Sequence, residues 1–350
     1  MNPELFILGA ALLLGWLLRW AFRTLPKEDW QILAALPGCR HGEACWKGTN
    51  LTFYGVFNAN AYTLATAVVF LLLGAVAVPA LTTVALTVLI LGLCMPASRL
   101  VARVVEKKRY TFSVGGAAFI GILIAPAAVL ALRRIGLPGV PADLPVMPVM
   151  AALATAYALG EGVGRLACIS FGCCYGKPMD QVHPLLRRLF ARHAFVFTGP
   201  TKKIAYADGL DGREIFPIQA VTATLYCAAA LAGAYLFLKG YFRTAFLLPL
   251  VVTQLWRFVS EFLRADYRGG GRISAYQKMA LAATVYGVAM GLLPLAPGLP
   301  PPDLGAGLRM LWHPGLLLML QGLWVASFLY TGRSKVTAAT LHFHVVRGNV

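Results

Sequence analysis

Four ionisable side chains sit inside or at the ends of otherwise apolar stretches of this chain: Glu161, Arg165, Arg257 and Glu261. Charge at membrane depth is expensive, so such residues mark a functional site by default. Both pairs have i, i+4 spacing, which places their members on one helix face. One reading is two internal salt bridges that neutralise charge for folding. The other leaves the arginines to bind a phosphate, which a planar guanidinium does with two parallel hydrogen bonds. The second is the working expectation.

A second chemical segment runs Gly160-Glu161-Gly162-Val163-Gly164-Arg165-Leu166-Ala167-Cys168-Ile169-Ser170-Phe171-Gly172-Cys173-Cys174-Tyr175-Gly176. It reads as a helix ending in a glycine-studded turn that carries one arginine and three thiols. Glycines permit tight bends and close backbone approach. Taken alone they fit small-residue helix packing; with Arg165 and the thiols they point to a site. A thiol nucleophile needs a lowered pKa, which a nearby arginine can supply. The vicinal cysteines are also potential metal ligands, with His183 and His193 as the only local imidazoles, but no metal or cofactor is expected.

These residues must be carried by membrane helices. Apolar residues make up 59% of the 350 positions and charged residues 13%, whereas soluble domains carry about 25% charged residues. The apolar runs reach the ~20 residues that span a bilayer as helix. They are continuous rather than alternating, which argues against a barrel. Nine helices are expected over Glu4–Ala21, Leu51–Val78, Leu81–Met95, Val114–Leu132, Met147–Cys168, Phe216–Leu238, Ala245–Leu263, Tyr276–Leu295 and Met310–Tyr330. The third is short and extends to Val105 in the alternative reading. The first lacks a basic leader and a cleavage site, so it is read as an uncleaved helix.

The formal charge is +17. In so apolar a chain this points to anionic lipid headgroups rather than to nucleic acid, for which no motif is present. Basic residues cluster after the odd-numbered helices, as in Arg99–Arg109, Lys177–Arg213 and Arg264–Arg272, and are sparse on the other face. By the positive-inside rule that face is cytoplasmic. Cys39 and Cys45 flank a polar stretch, Gly38–Asn50. Outside the cytoplasm they suit a disulfide; inside it, a thiol pair or a metal site with His41. Cys94 and Cys227 lie in apolar runs and read as small core residues.

In five ordered features the chain resembles the bacterial prolipoprotein diacylglyceryl transferases. They are Phe53-Tyr54-Gly55, Ser113-Val114-Gly115-Gly116, Gly164-Arg165 through Gly176, Phe216-Pro217-Ile218-Gln219, and Arg257-Phe258-Val259-Ser260-Glu261-Phe262-Leu263-Arg264. The resemblance implies a seven-helix core with one helix added at each end. It divides the chain into an N-terminal helix and linker (1–50), a transferase-like core (51–297) with a head loop (170–215), and a C-terminal helix and tail (298–350). It implies transfer of a diacylglyceryl group from phosphatidylglycerol to a cysteine thiol of a lipoprotein precursor, or to another thiol acceptor, in the bacterial inner membrane.

By that resemblance Arg165 and Arg257 hold the phosphate and Glu261 orients Arg257. Tyr54, Gly115, Gly116, Gly172, Cys174, Gly176, Gln219 and Arg264 contribute to substrate binding, and Cys173 joins the catalytic set as a covalent carrier or metal ligand. The chain departs from the family where histidines are expected, at Val114 and Phe216, and carries Cys168 and Cys173 in place of an asparagine and a glutamate. The phosphate clamps are thus retained while the proton-handling groups differ. The family also places the site-bearing face outside the cytoplasm, against the charge count, and the expectation here follows the family. Two other functions fit the same residues: a non-catalytic phospholipid-handling protein, and a thiol or metal redox protein built on Cys168, Cys173 and Cys174.

Overall fold

The computed structural model describes residues 2–40, 46–105, 114–135, 141, 143–266, 273–293 and 301–334. The chain opens with α1 (Pro3–Thr24), capped by the Asn2 side chain on the Glu4 amide. A hairpin follows, β1 (Ile32–Arg40) and β2 (Trp46–Thr52), paired antiparallel from Ile32 opposite Thr52. Sequence reading expects a polar linker here, not strands. The side chains of Cys39 and Cys45 lie outside the described residues, so their pairing is not addressed.

β2 runs directly into α2 (Phe53–Ala75), followed by α3 (Ala80–Val105), α4 (Val114–Ile135) and α5 (Val146–Phe171). The extended form of the third helix is therefore the observed one. Between α5 and the next long helix lies a small head with α6 (Pro184–Phe190), the two-residue strands β3 (Phe195–Val196) and β4 (Glu214–Ile215), and α7 (Lys203–Asp208). Then come α8 (Ile218–Leu238), α9 (Phe242–Ser260) and α10 (Ala275–Gly291). The chain closes on α11 (Leu304–Leu311), α12 (Pro314–Thr331) and β5 (Arg333–Ser334). The expected last helix is thus broken at Pro314, whose ring suits a first helical turn.

Among the described residues, eight helices are long and apolar enough to cross a membrane. The expected helix over Tyr276–Leu295, observed as α10, has 17 residues and is not among them. The protein is an all-α polytopic membrane protein. Helix α5 is its hub and packs against α2, α8 and α9. Lipid supplies no hydrophobic drive between helices, so small residues that let backbones approach do the work. Ala151, Ala152, Ala156, Ala158 and Gly162 of α5 are all buried. A Cβ on Gly162 would lie 2.7 Å from Cys227 Sγ and 3.2 Å from the Ala223 carbonyl oxygen. Cys227 is thus a packing residue of α8, as expected.

The two flanking helices sit at the periphery. α1 packs on α8 and α12 on α2, and α1 leaves Leu8, Leu12, Leu13 and Trp16 exposed, as a lipid-facing helix does. β5 adds to β2 through Asn50–Ser334 and Leu51–Arg333. This sheet brings the end of α12 to the start of α2, the end of the molecule that holds the site.

Candidate active site

The site forms where the hub helix ends. Tyr157, Glu161 and Arg165 follow one another at i, i+4 spacing along one face of α5. Glu161 Oε2 accepts from Arg165 Nη2 at 2.9 Å and from Arg257 Nη2, on α9, at 2.7 Å. Arg257 Nη2 also donates to the Tyr157 hydroxyl at 2.9 Å. One carboxylate shared by two guanidiniums leaves this buried triad with one net positive charge.

This corrects one expectation. Arg257 is held by Glu161 across the helix interface, not by Glu261 of its own segment. The chain leaves α-helical geometry at Glu261, which opens a single 3-10 turn through Leu263. There Glu261 accepts from Ser274 Oγ at 3.3 Å. Ser274 and Gln277 form a capping box that starts α10, and Gln277 Nε2 donates to the Phe258 carbonyl at 3.0 Å. These bonds fix α10 to the end of α9 and bring Tyr276 to the site.

The glycine-rich turn is built as its composition suggests. Gly172 caps α5 with φ 67°, a conformation that favours glycine. Cys174 also has positive φ, at 56°, which costs a non-glycine residue about 1–2 kcal/mol. The turn then runs as an extended strip between two neighbours: Lys177 N donates to the Leu263 carbonyl, and Phe216 N to the Lys177 carbonyl, both at 2.9 Å. Gln219 Nε2 donates to the Cys173 carbonyl at 3.0 Å. Arg264 is clamped to Asp266 by two 2.8 Å bonds.

Together these elements enclose a cavity of about 120 Å³ lined by Tyr54, Gly115, Arg165, Cys168, Cys173, Cys174, Gln219, Arg257, Glu261 and Arg264, with Ile218, Thr222, Tyr226, Ser260 and Tyr276. Nine of the twelve residues singled out from the sequence meet here. Gly116, Gly172 and Gly176 do not line it. A Cβ on Gly116 would lie 2.6 Å from Val101 Cγ1 of α3, one on Gly172 3.1 Å from Lys202 Cβ, and one on Gly176 would strike the Phe216 carbonyl oxygen. All three are packing glycines. Gly115 is different: its Cβ would lie 3.0 Å from Arg257 Nη1.

Several polar atoms of the cavity have no hydrogen-bond partner among the described residues: Arg165 Nε, Arg257 Nε and Gln219 Oε1, all buried. Buried polar groups are almost always paired. Two guanidinium donors and one amide acceptor are thus left unpaired on residues that line the cavity.

The three thiols converge. The Sγ atoms of Cys168, Cys173 and Cys174 all lie within 4.8 Å of one another. Arg165 Nη1 is 3.9 Å from Cys168 Sγ. Hydrogen bonding to Cys168 and then to Cys174, together with burial, pushes the Cys173 thiol well above its ordinary value. The arginine nitrogen lies against Cys168 rather than Cys173. His183 is not part of the cluster; it is exposed and caps α6 on the Leu185 amide.

Residues 45–293 match the family model described as prolipoprotein diacylglyceryl transferase. The chain belongs to that family. The match ends before α11 and α12 and begins after α1, so the flanking helices lie outside it. No curated protein and no solved structure gives a significant match. Membership in the diacylglyceryl transferase family makes this a transferase-type, multi-pass membrane protein of lipoprotein biosynthesis. The residues at the cavity that sequence reading did not single out are Tyr157, Ile218, Thr222, Tyr226, Ser260 and Tyr276. Tyr157 had a signal: it stands one helical repeat before Glu161, on the face that carries Arg165.

Proposed function

We propose that the cavity takes the phosphate and glycerol head of an anionic phospholipid, phosphatidylglycerol, and that the protein transfers the diacylglyceryl group to an acceptor thiol such as a lipoprotein-precursor cysteine. The observation that carries this reading is the Glu161 bridge, which holds Arg165 and Arg257 side by side with both Nε–H groups unspent. The two guanidiniums donate to phosphate oxygens. Gln219 Oε1 accepts from a hydroxyl of the glycerol head. Tyr54, Tyr276 and Arg264 wall the site.

In the reaction an acceptor thiolate attacks the glycerol carbon of the donor. A C–S bond forms and the C–O bond to phosphate breaks. The electron pair leaves on the phosphate oxygen as glycerol phosphate, and the thiol proton passes to solvent. The leaving phosphate gains charge in the transition state, so fixed donors aimed at it contribute most of the rate gain.

In this reading the site-bearing face lies outside the cytoplasmic membrane, an orientation that the family resemblance supports. Because β5 pairs with β2 at that end, a reporter inserted after Ser334 reads the side on which the site lies. The test of the function is incubation of the purified protein with labelled phosphatidylglycerol and a cysteine-bearing lipoprotein-precursor peptide, followed by mass spectrometry. Release of glycerol phosphate with a matching mass gain on the peptide is expected, and its absence from a correctly inserted protein rejects the reading. Lipid binding without turnover identifies a lipid-handling protein instead.

A further inference from the structure

We propose that Cys168, Cys173 and Cys174 form a three-thiolate site for a zinc-class cation, whose fourth ligand position opens on the cavity and receives the acceptor thiol as a thiolate. The second half of this proposal rests on the transferase reading above; the first does not.

The ligand set comes first. Three thiol sulfurs from three residues lie within 4.8 Å of one another. A tetrahedral zinc with Zn–S of about 2.3 Å sets its sulfurs ~3.8 Å apart, so closure needs only small side-chain rotations. Thiolates select soft or borderline cations such as zinc over calcium or magnesium. Three protein ligands with one open position are the arrangement of a reactive zinc, whereas structural zinc sites take four.

The backbone is shaped to gather these ligands. Cys168 is the last-turn residue of α5, and its carbonyl accepts from the Cys173 amide at 3.0 Å, which folds the turn back over the helix end. Cys174 holds a left-handed φ of 56° without being glycine. Strain of this kind clusters at ligand sites, and here it joins Cys174 to the two thiols already gathered. Gln219 locks the Cys173 carbonyl from α8 at 3.0 Å.

Zinc with three thiolates carries one net negative charge. Arg165 Nη1 lies 3.9 Å from Cys168 Sγ and offsets part of it.

The chemistry gives the site a use. Among the described residues, no histidine lines the cavity. A free thiol has a pKa of about 8.5 and is mostly protonated at neutral pH, whereas a thiol bound to zinc is deprotonated outright. The acceptor R–SH loses its proton to solvent on binding as the fourth ligand. Its sulfur then forms the C–S bond as the C–O bond to phosphate breaks, and the electron pair leaves on glycerol phosphate. The thioether product, being neutral, is a weaker ligand and departs. No redox step is involved.

The experiment uses the full chain purified in detergent under reducing conditions. Metal content is measured after equilibration with zinc, and cobalt(II) is substituted as the spectroscopic probe. About one equivalent of metal per chain is expected, with sulfur-to-cobalt charge-transfer bands and tetrahedral d–d bands. C173S and C174S should lower metal affinity at least about tenfold, while C94S and C227S should not. A variant that fails to fold leaves a second measurement: in the native protein Cys168, Cys173 and Cys174 should resist alkylation until a chelator is added, as read by peptide mass spectrometry. Adding a small thiol should shift the cobalt d–d bands. A metal-free protein with three freely alkylated thiols, a Cys173–Cys174 disulfide that persists under reduction, or metal retained by the C173S and C174S variants each overturns the site. A bound cobalt whose spectrum ignores added thiol overturns the acceptor role. Failure of lipid turnover with these metal signatures intact rejects the transferase reading and leaves the metal site standing.

Discussion

Glu161 on α5 reaches across the helix interface to Arg257 on α9, with Oε2 2.7 Å from Nη2. The same oxygen already accepts from Arg165 on its own helix. A single carboxylate thus sets the spacing of two guanidiniums from different helices.

Glu161→Gln should be costly to folding as well as to activity. It leaves two buried guanidiniums without their shared counter-charge, and breaking a buried pair costs about 3–5 kcal/mol. A clear fall in the thermal unfolding midpoint of the detergent-solubilised protein is expected. An unchanged midpoint would mean that water compensates both arginines and that the bridge is not structural.

Arg165→Lys and Arg257→Lys should separate charge from geometry. Lysine keeps the positive charge but lacks the fork that meets two phosphate oxygens. Losing one charge-assisted bond of about 1.5–3 kcal/mol lowers turnover roughly tenfold to hundredfold. Release of labelled glycerol phosphate is the readout. Wild-type rates in both lysine variants would show that a point charge suffices.

Gly115→Ala and Gly116→Ala should differ although they are neighbours. The first places a methyl 3.0 Å from Arg257 Nη1 and 2.9 Å from Tyr276 Cδ1, so it should cut turnover while the fold is largely kept. The second drives a methyl to 2.6 Å from Val101 Cγ1. Overpacking between α3 and α4 should lower stability by about 1–3 kcal/mol. Unfolding midpoints measured beside lipid turnover distinguish them; equal effects on both readouts would contradict the assignment.

Lys202 gives the head a pH dependence. Its Nζ is buried and donates to the Leu25 carbonyl at 3.0 Å and also to that of Ser170. Burial lowers its pKa to about 7, opposed by Glu28 and Asp29. The unfolded value is about 10.4. Between the two, the unfolded chain binds more protons than the folded one, so stability rises with pH across that window and levels off above it. The slope for one such group approaches about 1.4 kcal/mol per pH unit. Unfolding midpoints at pH 7, 8 and 9 should climb in the wild type and flatten in Lys202→Met. Parallel profiles would assign the dependence to other groups.

The membrane character and the order of the long apolar helices were legible in the sequence. The length and apolarity of a run are local properties, and a bilayer imposes one solution on them. The Arg165–Glu161 pair was legible for a similar reason, since i, i+4 spacing holds within any helix. The hairpin over Ile32–Thr52 was not, because its strands are defined by pairing with each other and with β5 rather than by an apolar alternation. The partner of Arg257 was beyond local reasoning: spacing offered Glu261, but the packing of α5 on α9 brought Glu161 to it, and the 3-10 turn carried Glu261 to Ser274. The same holds for the glycines. Composition marks Gly115, Gly116, Gly172 and Gly176 alike, yet what each one faces depends on which helix packs against it. So the residue types that define this site are a property of the chain. Which of them meet is decided by the packing of α5, α8 and α9 around one another.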